Sequence, residues 1–223
     1  MEFKIAETNE EREQAYRIVH DNYVELGYMR PHFSGLRFTA YDAQPQTILF
    51  IAKAQGQVLM TMSLVMDGPA GLPLERIFKK EVYALKQRTR RLAEVTALAH
   101  CRRDKRRGVE LFLSLSRLTV SVGLREGIDD FLITVNPRHR DIYPKLMQFT
   151  PFGSERCYEV MEKNPAIAYR LDLRGLLFGG RNWYTAAASP PIPTRIPYFS
   201  HEDIATFRSR TALEQKSLAH GLV

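Results

Sequence analysis

Cysteine, tryptophan and long apolar runs are scarce in this chain of 223 residues. There are two cysteines, Cys101 and Cys157, and one tryptophan, Trp183. Two cysteines exclude a disulfide framework, and they offer no zinc site of usual ligand spacing, although a single bridge stays open. No stretch approaches the ~20 apolar residues of a membrane-spanning helix. The start, Met1 to Glu7, has no apolar run after a basic segment, so no signal peptide is expected. These absences point to the cytoplasm. Internal repeats and low-complexity tracts are absent, as are a phosphate-binding Walker loop, a dinucleotide fingerprint and a Gly-x-Ser-x-Gly elbow. The six histidines form no metal-ligand pattern.

What remains is an ordinary globular composition, 44% hydrophobic and 26% charged. The length suits one domain with an appendage. A net charge of +7 favours an acidic or phosphorylated partner.

Phe3–Ala6 reads as a strand. Thr8-Asn-Glu-Glu11 is a capping box, and Ala15, Val19, Tyr23 and Leu26 recur at helical spacing up to a stop at Gly27. Residues 30–46 are irregular. A loop of that length within a compact domain is often functional. Residues 48–54 and 58–66 predict an antiparallel hairpin. A helix should follow Pro73, with Leu74, Ile77, Phe78, Val82 and Leu85 on one stripe. Strand Leu92–His100 comes next, and its period of two places Leu92, Glu94, Thr96, Leu98 and His100 on one face. Residues 109–124 predict a helix buried on several sides. Strand Phe131–Val135, a helix after Asn136-Pro137 carrying Ile142, Tyr143, Leu146 and Met147, and two strands over 155–161 and 166–173 complete the pattern. Beyond Gly175 the chain reads as a proline-containing arm and a terminal helix capped at Ser200. That helix either docks on the core or forms a contact between two copies.

Chemistry concentrates between Arg90 and Val120. Glu94 is a lone acid in a buried-looking strand, which is uncommon unless the acid is paired or used. Arg102, Arg103, Lys105, Arg106, Arg107 and Gly108 then precede a helix N-terminus, where free N–H groups favour an anion. From the residues alone, this basic run is a solvated surface, a nucleic-acid contact or a phosphate site. Glu94 is a salt-bridged acid or a general base. Tyr143 is a core tyrosine or a proton donor to a leaving thiolate. Cys101 reads as structural.

Several stretches, in order, resemble one family. They are Tyr23-Val-Glu-Leu-Gly-Tyr28, Gly71-Leu-Pro73, residues 93–99, Val135-Asn-Pro-Arg-His139 with Tyr143, Phe149, Asn164-Pro-Ala166 and Leu171-Asp-Leu173. The pattern resembles the N-acyl amino acid synthases, relatives of the acyl-homoserine-lactone autoinducer synthases. The resemblance implies an α/β fold of the GCN5-related N-acyltransferase type: a mixed, mostly antiparallel sheet flanked by helices. Residues 1–175 would form this domain and 176–223 a C-terminal extension. A homodimer through that extension is an open alternative.

The implied reaction moves a long-chain acyl group from the 4'-phosphopantetheine thioester of an acyl carrier protein to the α-amine of an amino acid. No permanently bound cofactor, metal or nucleic acid is expected. The resemblance makes Glu94 the general base and Tyr143 the general acid. The backbone around Leu98 and His100 would pair with the pantetheine arm, and Arg103, Lys105, Arg106, Arg107 and Gly108 would receive its phosphate. Arg30, Arg37 and Arg138 are candidates for the acceptor's carboxylate, with Phe33 and Asn136 as further substrate contacts. The aromatics of residues 33–41 could wall an acyl tunnel. The turn keeps one glycine and carries Glu110, which would repel a pyrophosphate; this favours the carrier protein over acyl-coenzyme A, the alternative donor. An autoinducer synthase and a non-catalytic carrier, lipid or nucleic-acid binder are the competing functions.

Overall fold

A computed structural model describes residues 1–101, 108–157, 164–178, 184 and 191–211. The basic run Arg102–Arg107, including Arg103, Lys105, Arg106 and Arg107, lies outside the described residues, as does Trp183.

The strands are β1 (Glu2–Ile5), β2 (Ile48–Ala54), β3 (Gln57–Met66), β4 (Leu92–His100), β5 (Asp130–Val135), β6 (Thr150–Pro151), β7 (Arg156–Cys157) and β8 (Pro165–Asp172). They form one sheet in the order β1-β2-β3-β4-β5-β8-β6, with β7 paired to β8. Every pairing is antiparallel except β4–β5. A parallel pair needs a crossover, and helix α3 (Gly108–Arg125) supplies it.

Two helical layers cover the sheet. Helix α1 (Asn9–Glu25) starts at Thr8, whose hydroxyl accepts from the Glu11 N–H while Glu11 reaches back in a reciprocal box. It packs on one face, with α2 (Glu75–Lys86) beside it. On the other face α3 buries Leu111, Leu115, Leu118 and Val122 against Phe50, Met62 and Phe131. A Cβ at Gly123 would overlap the Phe131 ring, so glycine there sets the close approach of α3 to β5.

The helix predicted after Asn136 is divided. Asn136 caps a 3-10 turn, Pro137–His139, and α4 (Ile142–Met147) begins separately. The reason is Pro144, which has no N–H and whose ring would clash with the carbonyl four residues back. A helix containing it must therefore start within the preceding turn.

After α5 (Leu173–Phe178), the described part of the tail returns to the core. Ile196 joins the α3-side cluster, while Phe199, Ile204 and Phe207 join the α1-side cluster. Ser200 and Asp203 cap helix α6 (His201–Thr211) reciprocally. Arg12 pairs with Asp203 at 2.8 Å and lies over Phe199. The apolar stripe of α6 is thus buried against its own chain.

Asp130, fully buried at the start of β5, accepts from Arg90 at 2.6 Å and Arg170 at 2.8 Å. Asp130→Ala leaves both guanidinium groups without their shared carboxylate. It should cost about 3–5 kcal/mol, read from the midpoint of urea unfolding.

Candidate active site

The parallel ladder between β4 and β5 holds for three residue pairs, Leu92–Asp130, Ala93–Phe131 and Glu94–Leu132, and then stops. Beyond Glu94 the two strands part. At that point β4 bulges: Thr61 faces Ala99 but Ser63 faces Thr96, so β4 carries one extra residue. Ala97 takes the left-handed backbone conformation, φ 53°, that the extra residue requires.

The bulge corrects the predicted alternation of β4. Up to Thr96, Glu94 shares its face with Leu92, on the side of α1 and α2. After it the faces exchange. Ala97 and Ala99 now pack on α1, while Leu98 turns to the α3 side. His100 pairs with Met60, a residue of the α3-side core, and so lies on that side too. Leu98 and His100 therefore do not share the Glu94 face.

A cavity of about 230 Å³ fills the gap. It passes through the sheet, because residues of both layers line it. The α1 side contributes Asn22, Tyr23, Leu26 and Tyr28. The α3 side contributes Phe112, Ser116, Thr119 and Val120, and the buried, apolar Phe131, Met147, Phe149 and Leu171 also line it. Leu98, Asn136, Arg138 and Tyr143 complete the walls.

Local sequence explains the polar half. Gly27 ends α1 with φ 72°, and the Tyr28 N–H turns back to the Tyr23 carbonyl at 2.7 Å. The two tyrosine rings then meet edge to face at 5.7 Å. Arg138 donates from Nη2 to the Tyr28 hydroxyl at 2.6 Å and from Nε to His139 at 3.0 Å. Burial and Arg138 both lower the pKa of His139, consistent with a neutral ring that accepts this bond. Asn22 donates to the His100 carbonyl at 3.1 Å and ties the end of α1 to the end of β4.

Glu94 is buried, 3% exposed, behind this wall rather than in it. Its carboxylate accepts the Leu74 N–H at the start of α2 at 2.7 Å. Among the described residues it forms no salt bridge, so the paired-acid reading does not hold. Burial pushes its pKa up to about 8, against the opposing effect of the Leu74 bond. The consequence for stability has a definite sign. The fold retains the Glu94 proton that the unfolded chain gives up near 4.5, so stability relative to Glu94→Gln should fall as pH rises from about 4.5 to about 8 and level off above. Thermal melts of the two proteins across that window measure it.

Tyr143 lies in the cavity wall, edge-on to Phe112 and Phe149. Burial raises its pKa to about 12, which keeps it a phenol. Its hydroxyl makes no hydrogen bond among the described residues.

Of the three candidate arginines, Arg138 alone lines the cavity. Arg37 lies over the Tyr23 ring at 4.8 Å, and Arg30 is exposed on the following loop. Asn136 lines the cavity and spends its side chain on the Arg138 N–H. The predicted tunnel aromatics are elsewhere. Phe33 is 79% exposed beside His32, Phe38 is core against Tyr16 and Phe207, and Tyr41 packs on the α2 side. None of these three lines the cavity, whose walls come from α1, α3 and the strands beside the gap. Gly108 opens α3 with nothing near its Cβ position, and Glu110 is exposed in the first turn. Sequence reasoning passed over Tyr23 and Tyr28 as site residues. The one available signal was their spacing across the helix-ending Gly27.

No curated protein matches the chain in sequence. Among solved structures, FeeM, an N-acyl amino acid synthase from uncultured soil microbes, is 28% identical with a TM-score of 0.67, over 77% of this chain and 90% of that one. BjaI, a coenzyme A-dependent acyl-homoserine lactone synthase, is 20% identical (TM-score 0.57; 87% and 90% covered) and shares the fold. An acyl-CoA N-acyltransferase from Pseudomonas aeruginosa does so at 12% identity (TM-score 0.53; 76% and 99% covered). The fold is thus that of these acyltransferases, as expected. The model of the family described as N-acyl amino acid synthase FeeM matches residues 14–172, and the chain belongs to that family of acyltransferases.

Proposed function

We propose that the protein transfers a long-chain acyl group from an acyl carrier protein thioester to the α-amine of an amino acid. The observation that carries this reading is the cavity through the sheet. Its lining is polar in part, with Tyr23, Tyr28 and Arg138, and apolar and buried in part, with Phe131, Met147 and Phe149. An acceptor with a carboxylate suits the first and a hydrocarbon chain the second.

In this reading the thioester lies across the gap at Leu98. The arm pairs with the free edge of β4, and its phosphate meets the turn leading to Gly108. The Arg138 guanidinium, with Nη1 unused among the described residues, takes the acceptor carboxylate. Glu94 removes a proton from the ammonium, and the free amine attacks the thioester carbonyl. Backbone N–H groups at the Ala97 bulge face the developing oxyanion. As the C–S bond breaks, Tyr143 protonates the thiolate and then regains a proton from solvent, to which the second nitrogen proton passes as the amide forms. The net charge of +7 supports a carrier protein, because such partners are acidic. We assign the catalytic unit to residues 1–175 and read the described part of 176–223 as a brace on α1 and α3.

Incubation with palmitoyl-acyl carrier protein and a mixture of amino acids should release thiol and yield an N-acyl amino acid by mass spectrometry. A product from S-adenosylmethionine alone, or none with any acyl donor, would refute this reading. Arg138→Ala should raise the acceptor KM about 10- to 100-fold with little change in the carrier-protein KM.

A further inference from the structure

We propose that the Tyr23 hydroxyl is a further catalytic group, which carries the acceptor's proton from the cavity to Glu94. The proposal rests on Glu94 as base, and it answers a geometric difficulty in that assignment. Glu94 does not line the cavity, whereas Tyr23 does. Tyr23 packs with Ala97 and Ala99, on the same sheet face as Glu94. Its ring is held on one side by the Arg37 guanidinium, 4.8 Å from the ring centre, and met edge to face by Tyr28. Its hydroxyl makes no hydrogen bond among the described residues, although neighbouring polar groups spend theirs on Arg138, His139 and the His100 carbonyl. A clamped ring with an uncommitted hydroxyl is placed to exchange protons rather than to brace the fold.

Tyr23 interacts electrostatically with both Glu94 and Tyr143. Burial raises its pKa, so it is a phenol at rest and not itself the final base. A relay needs only that it gain one proton as it loses another. The acceptor ammonium gives a proton to Tyr23 Oη while the Tyr23 O–H proton passes to the Glu94 carboxylate. The two side chains share no direct hydrogen bond, so one water completes the path. The products of the step are a neutral amine, an unchanged tyrosine and a protonated Glu94. Glu94 returns the proton to solvent after turnover.

The test is a double-mutant cycle with palmitoyl-acyl carrier protein and mixed amino acids, using Tyr23→Phe, Glu94→Gln and the pair. Phenylalanine keeps the ring and its contacts, and an unchanged melting temperature checks this. Tyr23→Phe should lower kcat ~10- to 100-fold with KM for both substrates unchanged. A curved proton inventory in the native enzyme should become linear in Tyr23→Phe. Adding Tyr23→Phe to Glu94→Gln should cost nothing further, because the path is already cut. Full turnover in Tyr23→Phe, or losses that multiply in the pair, would overturn the relay. If Tyr23→Phe is fully active and Glu94→Gln inactive, the relay alone fails. If Glu94→Gln is fully active, the base assignment fails with it.

Discussion

Glu94→Gln lowers kcat by about 10²- to 10⁴-fold while the protein stays folded and binds both substrates. The range is that of a positioned general base. Glutamine keeps an oxygen for the Leu74 N–H, so the start of α2 retains its partner. What it loses is the basic site. With the Glu94 pKa near 8, kcat/KM of the native enzyme should climb with pH and flatten above about 8 as the carboxylate forms. That limb should be missing in the variant. An ordinary carboxylate would have titrated near 4.5 and left activity flat through neutrality. The raised value also brings the base closer to the pKa of an amino acid ammonium, which makes proton transfer less uphill. A Glu94→Gln protein with native turnover across pH would assign Glu94 solely to holding α2.

Ser116→Phe abolishes transfer of long acyl chains, by about 100-fold or more, but spares short ones. Ser116 lies on α3, 5% exposed, where that helix borders the cavity. A phenyl group there grows into existing space, so the strain should stay within the ~1–3 kcal/mol typical of an enlarged core residue. Buried wall residues such as Phe131 and Met147 would then lie behind the plug. The measurement compares butyryl and palmitoyl donors. Equal losses for both would mean that the acyl chain does not use the α3 side. Unaltered palmitoyl transfer would mean that the chain does not enter the cavity at all.

The element order was legible in the sequence because local forces write it. Thr8 and Glu11 cap α1 through neighbours three residues apart, and hydrophobic periodicity marks β2, β3, β4 and α3. The same local grammar misjudged β4. Strict alternation assumes an unbroken ladder, but the extra residue at Ala97 is imposed by pairing with β3, and no local preference signals it. Pro144 holds a local signal for the break before α4, since its effect is confined to one turn, yet the pattern after Asn136 reads as one helix.

The candidate site divides in the same way. Glu94 stood out as an acid among apolar neighbours, and Arg138 and Tyr143 lay in a stretch with a family resemblance. Which arginine lines the cavity, and that Phe33 points to solvent, followed only from where the loops land. The raised pKa of Glu94 comes from packing that excludes water and from the charge of Glu75, against the opposing Leu74 N–H and Arg37, all distant in sequence. The sequence by itself determined the elements and the acid in β4, because caps, periodicity and residue chemistry act within a few positions. Only the tertiary structure decided that β4 and β5 part after Glu94, that residues of both helical layers line the gap, and that Tyr23 lines it while Glu94 does not. Those are relations between segments, and strand pairing and burial create them.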